Sequence, residues 1–269
     1  MDVEDIGAAW WREFEFDEQE ADRWEIGNLN LWLGRAATEW RLAHQWVDKD
    51  REHWRRERHV AFPGEGVSSE RFAMSQTDST VRLRAMTADR NVVVRPRLPL
   101  RVPSGQQAKI FISSPLSIGV SVGEQATFLR ELPTRRLSKT WFGPSTREGE
   151  LAYVLKTEAR TVLTDLLVRP HRMVTPILIE NRAEDTLEVE RLSLPVPRLS
   201  LFGTSGGLWS EAVRLLREEP GSLAQLDITP GPPSEAQDAV ELGEPRESSN
   251  SRYLFRAFSS ILSLTEMPT

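Results

Sequence analysis

The sequence has no cysteine, which removes disulfides, thiolate nucleophiles and every zinc or iron–sulfur site built on cysteine. Histidine is scarce too. His44, His53, His59 and His171 form no His-x-x-x-His step and have no glutamate placed beside them in a metalloprotease pattern, so neither a metal nor a cofactor is expected. Only four of the 34 basic residues are lysines (49, 109, 139 and 156). No apolar run approaches the ~20 residues of a membrane-spanning helix. Asp2, Glu4 and Asp5 precede any apolar stretch, unlike the basic start of a signal peptide, and a cytoplasmic protein is expected. A net charge of −6 argues against broad nucleic-acid binding while leaving room for a local basic patch.

What is present is a globular balance, 39% hydrophobic and 28% charged residues over a 269-residue chain, enough for one large domain or two small ones. The dominant period is two. Leu29, Leu31 and Leu33 alternate with Asn28, Asn30 and Trp32, and Trp40, Leu42, His44 and Trp46 alternate with polar neighbours, as half-buried strands do. Val81, Leu83 and Ala85 oppose Arg82 and Arg84; Val92, Val94, Leu98, Leu100 and Val102 oppose Arg95, Arg97 and Arg101. Because Pro96, Pro99 and Pro103 interrupt the latter run, an edge strand or an extended crossing segment is expected there. Further strands are read at 109–112, 117–122, 150–157, 161–168, 174–180 and 187–194. In the last, the apolar phase slips from Leu187 and Val189 to Leu192 and Leu194, which predicts a bulge near Glu190 and Arg191. Gly203–Gly207 reads as a loose loop, with a hairpin of Trp209–Leu216 and Leu223–Thr229 after it. Leu254, Phe255, Phe258, Ile261 and Leu262 fall at helical spacing and predict a helix over Arg252–Leu264.

Many short strands separated by proline and glycine imply an all-β fold, antiparallel sandwich or sandwiches, with an N-terminal arm and a C-terminal helix. The expected organisation is an acidic, aromatic arm over residues 1–24, a first β-sandwich region over 25–145 and a second β-rich region over 146–269.

Candidate sites follow from residue type and phase. Arg82, Arg84, Arg95, Arg97 and Arg101 lie on the polar sides of strands and could bind an anion or an acidic partner, since guanidinium forks match carboxylate and phosphate geometry; pairing with strand-borne Asp and Glu is the competing account. In the central stretch, Trp141 and Phe142 are expected to plug the core, with Gly143 and Gly149 turning the chain as a structural hinge. Ser138 and Lys139, adjacent in an extended segment, point to opposite faces and cannot act as a nucleophile pair. Seven of the nine tryptophans precede residue 55, which suits core packing and self-association or, if exposed, sugar stacking. A non-enzymatic interaction or accessory module is expected. A carbohydrate- or small-anion-binding module and a hydrolase drawing carboxylates from Glu148, Glu150, Asp165 and Asp185 stand as alternatives.

Pro96–Pro103, the segment Lys109–Val122 with its Pro115-Leu-Ser-Ile-Gly-Val step, Trp141-Phe-Gly-Pro and Gly149-Glu-Leu-Ala-Tyr together resemble a prokaryotic family known as domain of unknown function number 432, over residues 25–260. The Trp-rich N-terminus departs from its pattern. Genes of this family neighbour those of small mechanosensitive channels, so the resemblance implies an accessory role at a membrane channel; it brings no catalytic residues.

Overall fold

The computed structural model describes residues 3–4, 9–143, 147–157, 160–221, 223–248 and 253–259. Among them the regular structure is strand apart from three short 3-10 turns, Leu163–Asp165, Val196–Arg198 and Ser234–Ala236, and no helix is long and apolar enough to cross a membrane. The chain forms two compact units. The first comprises Met1–Met86, Pro115–Arg136 and Arg169–His171; the second comprises Thr87–Ser114, Leu137–Val168 and Arg172–Thr269.

In the first unit, one antiparallel sheet runs Val3–Glu4, Arg55–Glu57, Ala21–Ile26, Leu29–Ala36, Glu39–Trp46, Ser68–Ala73. The other runs Thr127–Pro133, Ser117–Val122, Thr80–Met86, Glu13–Glu15. The alternation read from sequence is kept in Thr80–Met86, where Val81, Leu83 and Ala85 are buried and Arg84 is exposed. Leu29, Leu31 and Leu33 are buried, but so are Asn30 and Trp32, so that strand is covered on both faces. Its entry turn depends on Gly27, whose φ of 59° fits the first central position of a two-residue hairpin turn. A Cβ there would lie 2.7 Å from His171 Cδ2. Asn28 secures the turn by donating from Nδ2 to the Val47 carbonyl oxygen at 2.9 Å.

The N-terminal aromatic segment belongs to this core. Trp10, Phe14 and Phe16 are buried; Phe14 meets Trp24 edge-on at 5.3 Å, and Phe16 stacks on Trp24 and meets Trp40 edge-on. Trp32, Trp40 and Trp54 are buried as well. These rings therefore pack, each covering about 150–250 Å², and offer no sugar platform.

In the second unit, a five-stranded sheet runs Ser138–Phe142, Glu150–Thr157, Val92–Pro96, Arg191–Leu194, Phe258–Ser259. A larger sheet runs Val240–Gly243, Leu201–Thr204, Gly207–Ser210, Arg172–Asn181, Ala212–Arg217, Leu223–Thr229, Tyr253–Arg256, with Gln107–Pro115 also on Arg172–Asn181. Leu100–Val102 pairs with Leu187–Val189.

Five expectations differ from the structure. The Val92–Pro96 half of the proline-interrupted run is central, not an edge, while Leu100–Val102 has one partner in a two-stranded sheet; Pro96 is the last residue of the central strand and Pro99 falls in the gap before Leu100, so neither removes a donor from inside the ladder. The pairing is not antiparallel throughout. Val92–Pro96 with Glu150–Thr157, and Arg172–Asn181 with Gly207–Ser210 and Ala212–Arg217, are parallel, and strands rather than helices fill the crossovers. The C-terminal helix is absent over the described part of its range. Tyr253–Arg256 pairs with Leu223–Thr229 and Phe258–Ser259 with Arg191–Leu194; Arg252 and residues 260–264 lie outside the described residues. A short apolar run fits either period, and available strand partners decide it. Finally, 161–168 is not a strand but holds a 3-10 turn, whose Leu163 and Leu166 pack on Phe111, Val174, Phe202 and Trp209. Gly203–Gly207, read as a loose loop, closes a hairpin between Leu201–Thr204 and Gly207–Ser210.

Candidate functional site

The predicted arginines fall into both units and meet different fates. In the first unit, Arg82 donates from Nε to Glu13 Oε1 at 2.8 Å across the Glu13–Glu15 pairing, and Arg84 is exposed. In the second, Arg101 reaches Glu188 Oε1 at 3.2 Å across neighbouring strands, both side chains exposed, and Arg97 is exposed. For Arg82 and Arg101 the cross-strand ion pair is what the structure shows, and such exposed pairs contribute roughly 0–1 kcal/mol.

Arg95 is different. It lies on the central strand of the five-stranded sheet, half-buried, and its Nε is buried with no hydrogen-bond partner. On one side its partner in the parallel register is Lys156. On the other side the register pairs Leu192 with Val94 and Ser193 with Val93; one residue further, Arg191 stands opposite Arg95. Arg191 is 6% exposed, and its Nε too is buried without a partner.

Three things hold Arg191 in place. Its Nη2 donates to the Trp141 carbonyl oxygen at 3.1 Å. Its guanidinium lies 5.3 Å from the Phe142 ring centroid, a cation–π contact. Phe142 in turn is buried with Val93 and Ala152. Among the described residues the charge that acts on Arg191 is that of Arg95: burial first, and the Arg95 charge second, push its guanidinium below the ordinary arginine value. Like charges opposite each other across strands destabilise a sheet. The nearby carboxylate of Glu150 is engaged by Asn91 Nδ2 at 2.6 Å and by the Ser193 hydroxyl at 3.4 Å.

The central sequence stretch supplies the wall of this site. Ser138–Phe142 and Glu150–Thr157 form an antiparallel hairpin with Phe142 opposite Glu150 and Trp141 opposite Leu151. Of the two rings expected to plug the core, only Phe142 does so; Trp141 is 42% exposed beside a 39% exposed Leu151. Gly143 and Gly149 are needed for close approach: a Cβ on Gly143 would overlap the Glu148 carbonyl oxygen and the Gly149 Cα, and one on Gly149 would sit 2.7 Å from the Phe142 carbonyl oxygen. Gly143→Ala is therefore expected to force the hairpin end apart and cost about 1–3 kcal/mol, measured as a lower urea midpoint.

Of the acids offered for hydrolysis, two have described partners. Glu150 is held as above, and Asp185 accepts from Arg217 Nη2 at 2.9 Å, which holds its carboxyl below the usual range. The Asp165 side chain lies outside the described residues. Burial pushes up the carboxyl of Glu211, but that group accepts from the Ser200 backbone N–H at 3.0 Å. Among the described residues, no group of three His, Asp or Glu is placed to hold a metal ion.

Arg191 was not among the arginines that sequence reasoning picked out, although the phase slip marked its position. The slip corresponds to a break at Glu190, where the chain leaves the pairing of Leu187–Val189 with Leu100–Val102 and joins Val92–Pro96 as Arg191–Leu194.

No curated protein and no solved structure matches this chain. The family model described as protein of unknown function (DUF432) matches residues 10–263, spanning both units and the whole arginine site, and the chain belongs to that family.

Proposed function

We propose that the protein is a non-enzymatic β-sandwich module that captures an anionic group, on a small ligand or a partner protein, at Arg95 and Arg191. The observation that carries this reading is Arg191 itself: a guanidinium more than nine-tenths buried, set against a second arginine instead of a carboxylate. A buried charge without a counter-charge costs several kcal/mol, and an incoming oxyanion would supply both the charge and acceptors for the two unmatched Nε–H groups. The carbohydrate alternative loses support because five of the seven early tryptophans, Trp10, Trp24, Trp32, Trp40 and Trp54, are buried. A protein partner is favoured by one further observation, the exposed Trp141–Leu151 pair on the same hairpin that walls the site.

The test is a charge reversal. Arg95→Glu replaces the like-charge contact by an ion pair with Arg191, so the urea midpoint should hold or rise. The same variant should lose the increase in melting temperature that sulfate gives the wild type at constant ionic strength. A sulfate response equal to that of the wild type would rule this reading out.

A further inference from the structure

We infer that the anion taken at this site is a doubly charged tetrahedral oxyanion, inorganic phosphate or a phosphomonoester, and not a carboxylate or a phosphodiester. This rests on the anion reading above and adds a charge count to it. At one level of the sheet, three neighbouring strands carry Lys156, Arg95 and Arg191 in succession, and the fourth carries Ser259 opposite Arg191. The Glu150 carboxylate accepts from Asn91 and from Ser193, and among the described residues from neither arginine. The two guanidiniums alone present two positive charges in a protein whose net charge is −6. A monoanion would leave one of them uncompensated in a largely buried setting, whereas a dianion would balance both.

The donors agree with the charge count. Arg191 uses Nη2 on the Trp141 carbonyl and its face on Phe142, which fixes its plane and leaves Nε–H as an unmatched donor. Arg95 leaves its own Nε–H unmatched from the adjacent strand. A planar carboxylate suits one guanidinium fork; donors arriving from two separate guanidiniums suit oxygens that diverge from a tetrahedral centre. Arg191 is buried and Arg95, opposite it on the adjacent strand, is half-buried, so Arg95 is the more accessible of the two to the charged end of a ligand.

Calorimetric titration of the full chain at pH 7.5 with phenyl phosphate, inorganic phosphate, dimethyl phosphate and acetate, at matched ionic strength, tests the inference. Phenyl phosphate and inorganic phosphate are expected to bind about tenfold to a hundredfold more tightly than dimethyl phosphate or acetate, the difference that one or two charge-assisted hydrogen bonds make. Arg191→Gln and, separately, Arg95→Gln should each weaken the dianions by at least about tenfold while barely changing the monoanions; Arg95→Gln, at the half-buried position, serves if Arg191→Gln fails to fold. Equal affinity for acetate and phosphate, both lost in Arg95→Gln, would overturn the dianion assignment and keep the anion site. No binding of any of the four by the wild type, or binding untouched in Arg95→Gln, would overturn both.

Discussion

Asp22→Ala is expected to destabilise the first unit by about 3–5 kcal/mol, the cost of breaking a buried ion pair by removing one partner. The Asp22 side chain is 0% exposed and that of Arg56 4%. Arg56 donates to Asp22 Oδ2 from Nε at 2.7 Å and from Nη2 at 2.5 Å, and the His59 backbone N–H takes Oδ1 at 3.1 Å. Around the guanidinium stand Phe14, Phe16 and Trp24, with centroids 4.8, 5.6 and 5.3 Å away. With Asp22 gone, Arg56 keeps its aromatic surroundings and a 3.3 Å bond to the Glu15 carbonyl oxygen, but it has lost the carboxylate it faced in a site closed to water. Against a total stability of about 5–15 kcal/mol, that loss leaves little margin. The double variant Asp22→Leu with Arg56→Met should recover most of it, because replacing a buried pair by apolar groups of similar volume is often neutral or better. Urea unfolding at constant slope would measure both. A single-variant cost below about 1 kcal/mol, or a double variant no better than the single, would show that the pair contributes little here.

The contrast between Asp22–Arg56 and Arg95–Arg191 also shows what was legible in the sequence. Period-two alternation located Thr80–Met86 and the flanking strands and placed the arginines opposite the apolar residues. It could not say which strand lies beside which. Arg82 is paired because Glu13–Glu15 lies beside its strand from nearly seventy residues away, whereas across the strand from Arg95 the register sets Lys156 and Arg191. Those pairings are set by long-range packing, to which a local pattern is blind. The same blindness produced the helix over Arg252–Leu264: Leu254, Phe255 and Phe258 fit a helical face, yet Leu223–Thr229 and Arg191–Leu194 each offered an edge to pair with. Where a local irregularity did carry tertiary information, at Glu190–Arg191, it marked a change of sheet. The aromatic N-terminus reads from composition as an arm that docks by its aromatics, and Trp10, Phe14 and Phe16 are buried, Phe14 and Phe16 against the Trp24 and Trp40 rings.

Phe142→Ala is expected to cost about 3–5 kcal/mol, and Trp141→Ala only about 1 kcal/mol, although tryptophan is the larger ring. Exposure decides the order: Phe142 is 1% exposed and packs on Val93 and Ala152, while Trp141 leaves 42% of its surface in solvent. Truncating Phe142, at the end of the edge strand, opens a cavity against Val93 and Ala152, whose own strands are paired on both sides and cannot move to close it. The change reaches the anion site as well, since Arg191 rests on that ring. Without it the guanidinium keeps its bond to the Trp141 carbonyl but loses the surface that sets its plane, so the sulfate-induced rise in melting temperature should shrink in Phe142→Ala. Phe142→Leu, which refills much of the volume without a π face, separates the two effects: stability should return to within about 1.5 kcal/mol of wild type, while the sulfate response stays diminished. Trp141→Ala should leave that response intact, because Arg191 uses only its backbone oxygen. If Trp141→Ala proved as costly as Phe142→Ala, or if Phe142→Leu restored the full sulfate response, the ring would be packing material alone and the orientation of Arg191 would have to come from elsewhere in the sheet.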